Sequence, residues 1–173
     1  SAAEIDASML AAGYRMGPFT LIDLIGADVN LAATQGLWRG MGGHPRYHVF
    51  AALTAQVARG ALGRKSGGGF LFPAAPGPAP ADAAAIRLRI EATLANEAAS
   101  LLAEGAVTEG AIDRALKLGL NFPRGPFESA RILGLGAVRA ELARLAAAAP
   151  RRLSGRYEVS PALTLTYTGG YRS

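Results

Sequence analysis

The side chains best suited to chemistry lie in two short segments, and the first contains a lysine among glycines. Lys65 stands in the run GRKSGGGFLF. A cation there suits contact with a phosphate, because glycine lets backbone amides approach a ligand closely. A solvated turn lysine is an equally good interpretation. The run resembles a P-loop only in part, since Arg64 separates Gly63 from Lys65 and a helical pattern precedes it, so we reject that motif.

The second segment contains both histidines of the chain. His44 and His48 are four residues apart, which would place them on one face of a helix. Pro45 lies between them, and no acidic third ligand accompanies the pair. Cysteine is absent, which excludes disulfides and thiolate metal sites. We therefore predict no metal site.

Composition indicates a folded chain. It has 173 residues, of which 50% are hydrophobic and 18% are charged. No apolar run approaches the roughly 20 residues of a membrane span, and no signal-peptide pattern opens the sequence, so we expect a cytoplasmic location without membrane contact. The net charge of +5 suits a phosphate-bearing coenzyme. Aromatic residues are sparse and do not alternate with arginines, which argues against nucleic acid as a partner.

Short blocks of sequence occur twice in the same order. The spacing of the paired blocks is almost constant, at 107 to 110 residues. The blocks are Ile-Asp at positions 5 and 112, Gly-Pro-Phe at 17 and 125, and Arg-Tyr-x-Val-x-x-Ala-Leu at 46 and 156. Such order and spacing indicate an internal duplication.

The apolar pattern predicts an all-α fold. Apolar residues recur at helical spacing from Ile86 until Gly105 supplies a C-terminal stop. Pro18 and Pro126 suit the first turn of a helix, where no backbone donor is needed, and Asp28 is the predicted cap of the helix that follows. Strand signals occur at residues 69–72 and 162–167 only.

The predicted organisation has three parts. A first helical unit spans residues 1–72, a Pro- and Ala-rich linker spans 73–84, and a second helical unit spans 85–173. The second unit has a long helix ahead of its Ile-Asp block, and the first has no counterpart of it. We therefore expect the first unit to be truncated at its N-terminus and the chain to belong to a longer protein.

Longer stretches resemble a known family. IDASMLAAGYRMGPFTLIDLIGADV and RIEATLANEAASLLAEGAVTEGAIDRALKLGLNFPRGPFESARILGL resemble the C-terminal domain of the 3-hydroxyacyl-CoA dehydrogenases, and RGALGRKSGGGFLF resembles the segment that closes it. Tandem copies are typical of the longer 3-hydroxybutyryl-CoA and 3-hydroxyadipyl-CoA dehydrogenases. The resemblance implies two helical units of the 6-phosphogluconate dehydrogenase C-terminal type.

The resemblance also implies a function. The family oxidises the 3-hydroxyl of an acyl-CoA with NAD, in fatty acid β-oxidation or phenylacetate-type degradation. Its Rossmann domain binds NAD and supplies a catalytic His-Glu pair, whereas this chain shows no strand-Gly-x-Gly-x-x-Gly-helix unit. We therefore expect this chain to be the substrate-side and dimerisation portion of a homodimeric enzyme. It would contain no catalytic residues and would be inactive without an upstream NAD-binding domain.

Individual residues acquire candidate roles from the resemblance. It places Lys65 near NAD, and it makes Met16, Phe19 and Phe127 candidates for the wall of the acyl-CoA cleft. Packing in the core is the commoner role for such side chains. Asp6 and Asp113 open equivalent helices, where a negative charge is favourable, and we assign no chemistry to them.

A second function class remains open at the sequence level. A stand-alone helical binding module could keep this fold without the enzyme and bind an acidic partner. The two hypotheses differ in what precedes Ser1, because only the enzyme requires a dinucleotide-binding unit there.

Overall fold

The computed structural model describes residues 1–165, and this part of the chain is helical. It contains helices α1 (Ala2–Ala11), α2 (Pro18–Ile25), α3 (Ala27–Gly40), α4 (Ala51–Ala58), α5 (Ala83–Ala103), α6 (Glu109–Leu120), α7 (Pro126–Leu133), α8 (Leu135–Ala148) and α9 (Pro161–Leu165). Short 3₁₀ turns occupy Pro45–Tyr47, Arg64–Ser66 and Arg151–Leu153. Among residues 1–165, extended pairing is limited to one bridge between Gly63 and Gly68. The predicted all-α class is confirmed.

The strand signals were wrong where the structure describes them. Residues 69–72 form an irregular loop without strand pairing, and residues 161–165 form α9. The remaining part of the second signal, residues 166 and 167, lies outside the described residues. No helix within residues 1–165 is long and apolar enough to span a membrane.

The chain forms two compact units. Unit 1 comprises Ser1–Ile86 and Arg151–Arg156. Unit 2 comprises Arg87–Pro150 and Tyr157–Ser173, of which residues up to 165 are described. The Pro-rich stretch that follows Phe72 has no helix until α5 begins at Ala83.

A buried aspartate fixes the start of one helix in each unit. Asp6 lies inside α1 and accepts hydrogen bonds from the backbone N–H groups of Phe19 (2.9 Å) and Thr20 (2.7 Å). Asp113 lies inside α6 and accepts them from Phe127 (2.9 Å) and Glu128 (3.1 Å). These N–H groups have no partner within a helix, so the carboxylates satisfy them.

The expected role of Asp6 and Asp113 is thereby corrected. Each lies at the middle of its own helix, and its charge acts on the N-terminus of the following helix instead. The sequence pattern did not indicate this, because the partners lie 13 to 15 residues further along the chain.

The recurrent Gly-Pro-Phe motif has a structural explanation in these contacts. A Cβ atom on Gly17 would overlap the Asp6 carboxyl group, and one on Gly125 would overlap the Asp113 carboxyl group. Proline follows at the first helical position, where no donor is lost. Phenylalanine then supplies an N–H group to the aspartate. The motif therefore holds two consecutive helices together.

The main apolar core of the described residues lies in unit 2, and α5 contributes four alanines to it. The core consists of Ala92, Ala95, Ala98, Ala99, Ile112, Phe127, Ala130, Val138, Leu142, Ala162 and Leu163. The α5 alanines share this buried cluster with Phe127 of α7, which is 2% exposed, and with Val138 and Leu142 of α8.

A buried asparagine joins α5 to the segment before α9. Asn96 is 2% exposed and donates through Nδ2 to the Glu158 carbonyl (2.8 Å). Its Oδ1 accepts from the Ser160 N–H (2.8 Å). Asn96 therefore ties α5 to the backbone of the segment that precedes α9.

Candidate functional site

The Gly-rich loop of unit 1 is held by a third buried aspartate. Asp23 of α2 is 2% exposed. Its carboxylate accepts hydrogen bonds from three successive N–H groups, those of Phe70 (2.8 Å), Leu71 (2.7 Å) and Phe72 (2.8 Å). Hydrogen bonds to a charged acceptor are the stronger kind, so Asp23 anchors the end of the loop to α2.

Two glycines of the loop are explained by their closeness to α2. A Cβ atom on Gly69 would overlap the Asp23 carboxyl group, and one on Gly63 would overlap the Asp23 backbone. Gly63 also has φ +100°, which favours glycine. These glycines therefore serve the packing of the loop against α2, and they need no phosphate to explain them.

Lys65 lies on the exposed side of this loop. Its Nζ is 2.5 Å from Asp28 Oδ1, and the two side chains are 46% and 39% exposed. The predicted capping role of Asp28 was wrong, because Gly26 occupies the N-cap of α3 and Asp28 lies in the first turn. Asp28 instead bonds to the lysine, and that bond lowers the pKa of its carboxyl group.

The Asp28–Lys65 pair leads to a pH prediction. The folded-state pKa of Asp28 is lowered, so the pair stabilises the loop above the ordinary aspartate value of about 3.9, and the contribution is lost as pH falls through the lowered pKa. Lys65→Gln should return the pKa of Asp28 towards the ordinary value. The measurement is a ¹³C NMR titration of the Asp28 carboxyl carbon, with Lys117→Gln as the control, and equal values in wild type and Lys65→Gln would contradict the pairing.

The three candidates for the cleft wall have different surroundings. Phe19 is partly exposed, and its ring centre lies 5.1 Å from that of Phe70 in the Gly-rich loop. Met16 is also partly exposed. Phe127, at the position of unit 2 equivalent to Phe19, is enclosed in the core. The structure thus brings Phe19 and the Lys65 loop together in unit 1, and Phe127 lies in the other unit.

A cavity of about 660 Å³ opens beside Phe19 in unit 1. Its walls are Phe19, Ile22, Asn30, Ala33, Thr34, Leu37, Arg46, Tyr47, His48, Phe50, Ala52, Leu53, Phe70 and Arg156. On one side of the cavity opening, the Arg156 guanidinium holds the 3₁₀ turn at Pro45–Tyr47. It donates hydrogen bonds to the Pro45 carbonyl (3.2 Å) and to the Arg46 carbonyl. The Arg156 guanidinium also lies 4.8 Å from the ring centre of Phe50.

The two histidines have separate local contacts. His44 Nδ1 accepts from the Arg46 N–H (3.2 Å) at the start of a 3₁₀ turn. The His48 ring packs edge-on against Phe50, with ring centres 4.9 Å apart. Among residues 1–165 there is no group of three or more His, Cys, Asp or Glu side chains that could hold a metal ion.

The described residues thus form an all-helical fold in which a buried aspartate of one helix accepts hydrogen bonds from the first N–H groups of the next helix. The sequence model described as "3-hydroxyacyl-CoA dehydrogenase, C-terminal domain" matches residues 1–72 and residues 86–168. The chain therefore belongs to the family of 3-hydroxyacyl-CoA dehydrogenase C-terminal domains, as its resemblance indicated.

Individual relatives are similar over shorter stretches. A probable 3-hydroxybutyryl-CoA dehydrogenase of Deinococcus radiodurans is 45% identical over 61 residues, which are 35% of this chain and 22% of the relative. The mitochondrial hydroxyacyl-coenzyme A dehydrogenase of Homo sapiens is 39% identical over 69 residues, 39% of this chain and 22% of the relative. The matched stretches thus span about a fifth of these curated relatives.

A solved structure has the same fold over almost the whole chain. It is that of 3-hydroxybutyryl-CoA dehydrogenase from Escherichia coli K12, with a TM-score of 0.78 and 22% sequence identity. The match covers 96% of this chain and 54% of that one. At this identity the likeness establishes the fold alone.

Proposed function

We propose that this chain is the substrate-side and dimerisation portion of an NAD-dependent 3-hydroxyacyl-CoA dehydrogenase, which oxidises a 3-hydroxyacyl-CoA to the 3-oxoacyl-CoA. The observation that carries the proposal is the match of one C-terminal-domain family to both halves of the chain. The relatives are named as dehydrogenases of this kind and are far longer than the matched stretches. The chain would consist of two related helical units, 1–72 and 85–173, joined by the linker 73–84.

The cofactor implied by this function is NAD, whose nicotinamide accepts a hydride when it is bound. Lys65 fits a contact with an NAD phosphate, because an ammonium group has three N–H donors and Asp28 engages it through one carboxylate oxygen. The described residues contain no parallel sheet, so most of the NAD site would belong to an upstream Rossmann domain.

The contribution of this chain would be the positioning of reacting groups. Asp23 holds the end of the loop that carries Lys65, and Phe70 of the same loop contacts Phe19. The Gly-rich loop, α2 and the cleft wall would thus form one rigid surface that faces the cofactor domain. Fixed orientation of this kind contributes to rate without a catalytic side chain on the chain itself. Met16 and Phe19 are the proposed contacts with the acyl group, and Phe127 stays a prediction whose observed surroundings favour packing.

The remaining proposals concern partners and location. The partners would be the acyl-CoA substrate, the upstream domain of the same protein and a second copy in a homodimer. Location in the cytoplasm suits a chain without cysteine. Acyl-chain length and the pathway, either β-oxidation or phenylacetate-type degradation, are left open by the proposal.

The test of this function is an NADH assay on the full-length protein. Acetoacetyl-CoA should cause NADH consumption, observed as a loss of absorbance at the nicotinamide band. Omission of acetoacetyl-CoA is the control. A full-length protein that binds acetoacetyl-CoA without consuming NADH would contradict the enzyme and favour the stand-alone binding module.

A further inference from the structure

A second cavity of unit 1, of about 390 Å³, has walls of a different kind. They are Gln35, Trp38 and Arg39 of α3, together with His48 and Val49 of the segment between α3 and α4. An indole, a guanidinium and two side chains that form hydrogen bonds thus line one space. This combination suits a ligand that has both a planar ring and a negative charge.

Trp38 offers the planar surface. It is 40% exposed, and it is the single tryptophan of the sequence. Its indole lies beside Gly43, where a Cβ atom would be 3.4 Å from Trp38 Cζ2. The nearby backbone restricts the indole, and its exposed part is left for a ligand. Nucleobases stack on aromatic side chains of this kind, because every base has a π-face.

The equivalent positions of unit 2 carry no such groups. Because α3 and α8 both have 14 residues, Gln35, Trp38 and Arg39 correspond to the alanines at positions 143, 146 and 147 of α8. All three alanines are exposed. The packing of such a unit therefore does not require large or charged side chains on this face, and those of unit 1 need another explanation.

The positive charge of the chain is concentrated in unit 1. Residues 29–81 and 151–156, which belong to this unit, contain eight Arg and Lys residues and no Asp or Glu. The whole chain carries +5, so these two stretches carry +8 and the other residues carry −3. A surface with this charge attracts ligands that have several negative charges.

Cationic side chains lie at the cavity itself. Arg39 is exposed, and within residues 1–165 no carboxylate pairs with it. The larger cavity described above shares His48 with this one and adds Arg46 and Arg156 to the same surface. No wall residue of either cavity is acidic. The surroundings of Trp38 therefore suit a diphosphate better than a single carboxylate.

We propose that this cavity binds a nucleoside diphosphate group, either as a free nucleotide or as part of a coenzyme. The base lies on the exposed surface of Trp38, and the diphosphate lies at Arg39. Gln35 and His48 supply hydrogen-bonding groups for the edge of the base and the ribose. The inference does not depend on the proposed function, because binding at this site requires no turnover.

The test observes Trp38 in the full-length protein. Tryptophan is replaced biosynthetically by 5-fluorotryptophan, and Trp38→Phe identifies the ¹⁹F resonance of this residue by its loss. ADP is titrated, and the dissociation constant is taken from the shift of that resonance. Arg39→Ala is the test variant. Arg114→Ala, which removes an exposed arginine of α6, is the control with the same change of net charge.

The inference predicts a saturable shift with ADP and about tenfold weaker ADP binding in Arg39→Ala, whereas Arg114→Ala should change the affinity less than about twofold. Inorganic diphosphate should bind about tenfold more weakly than ADP, because it lacks the stacked base. Coenzyme A, which contains the same group, is the remaining probe. Tighter binding of coenzyme A than of ADP assigns the site to a coenzyme, and weaker binding assigns it to a free nucleotide.

Three results would overturn the inference. They are an unchanged Trp38 resonance at millimolar ADP, equal affinities for ADP and inorganic diphosphate, and equal weakening of ADP binding in the two arginine variants. The last result would mean that only the net charge of the protein acts on the nucleotide. None of these readings depends on enzyme activity, so a failure of the proposed function is observed separately.

Discussion

Replacement of Asp23 by alanine should lower the free energy of unfolding by about 3 kcal/mol, since hydrogen bonds to a charged group contribute about 1.5 to 3 kcal/mol each and part of the loss is recovered by water. Three bonds to Phe70, Leu71 and Phe72 are removed together. The end of the Gly-rich loop loses its anchor on α2 as a result. The measurement is urea denaturation followed by far-ultraviolet circular dichroism.

The control for this substitution is Glu104→Ala. Glu104 is an exposed carboxylate that follows the last residue of α5, so its removal should change the free energy of unfolding by less than about 0.5 kcal/mol. Asp23→Asn keeps the shape and one carbonyl acceptor, and it should lie between the two. A loss below about 1 kcal/mol for Asp23→Ala would contradict the anchoring role.

The second large effect is expected for Asp113→Ala in unit 2. The N–H groups of Phe127 and Glu128 lose their acceptor, and the cavity left below Gly125 adds to the cost. Phe127 is a core residue, so the start of α7 cannot turn outwards to water without disturbing that core. We expect a loss of about 3 kcal/mol in urea denaturation.

The control for Asp113→Ala is another acidic residue of α6. Glu109 forms an ion pair with Arg131 in which the side chains are 25% and 46% exposed. Exposed pairs contribute roughly 0 to 1 kcal/mol, so Glu109→Ala should have little effect. Equal losses for the two variants would mean that the buried carboxylate contributes no more than surface charge does.

The helices were predictable because their signals are local. Apolar spacing and the prolines at the first helical positions gave α2 and α7, and the structure places both helices at those residues. The Gly-Pro-Phe motif was also visible as a repeat. Its cause was hidden, because the aspartate that requires the glycine lies a dozen residues earlier on another helix.

The candidate site was predicted less completely than the fold. Lys65 was identified from its type and its glycine neighbours, but its partner Asp28 was interpreted as a helix cap. Asp23 was missed altogether, because it is 47 to 49 residues from the N–H groups that it binds. The glycines of the loop were visible in the sequence. Their closeness to α2, which is the reason for two of them, was not visible there.

The measurement that tests the central claim most directly is NADH consumption by residues 1–173 alone, beside the full-length protein at equal molar concentration, with acetoacetyl-CoA as substrate. If this chain positions the substrate while the catalytic residues lie upstream, the full-length protein consumes NADH and residues 1–173 remain at the rate of buffer. Turnover by residues 1–173 alone would contradict that division of roles, and His44, His48 and Lys65 would then be the first residues to substitute.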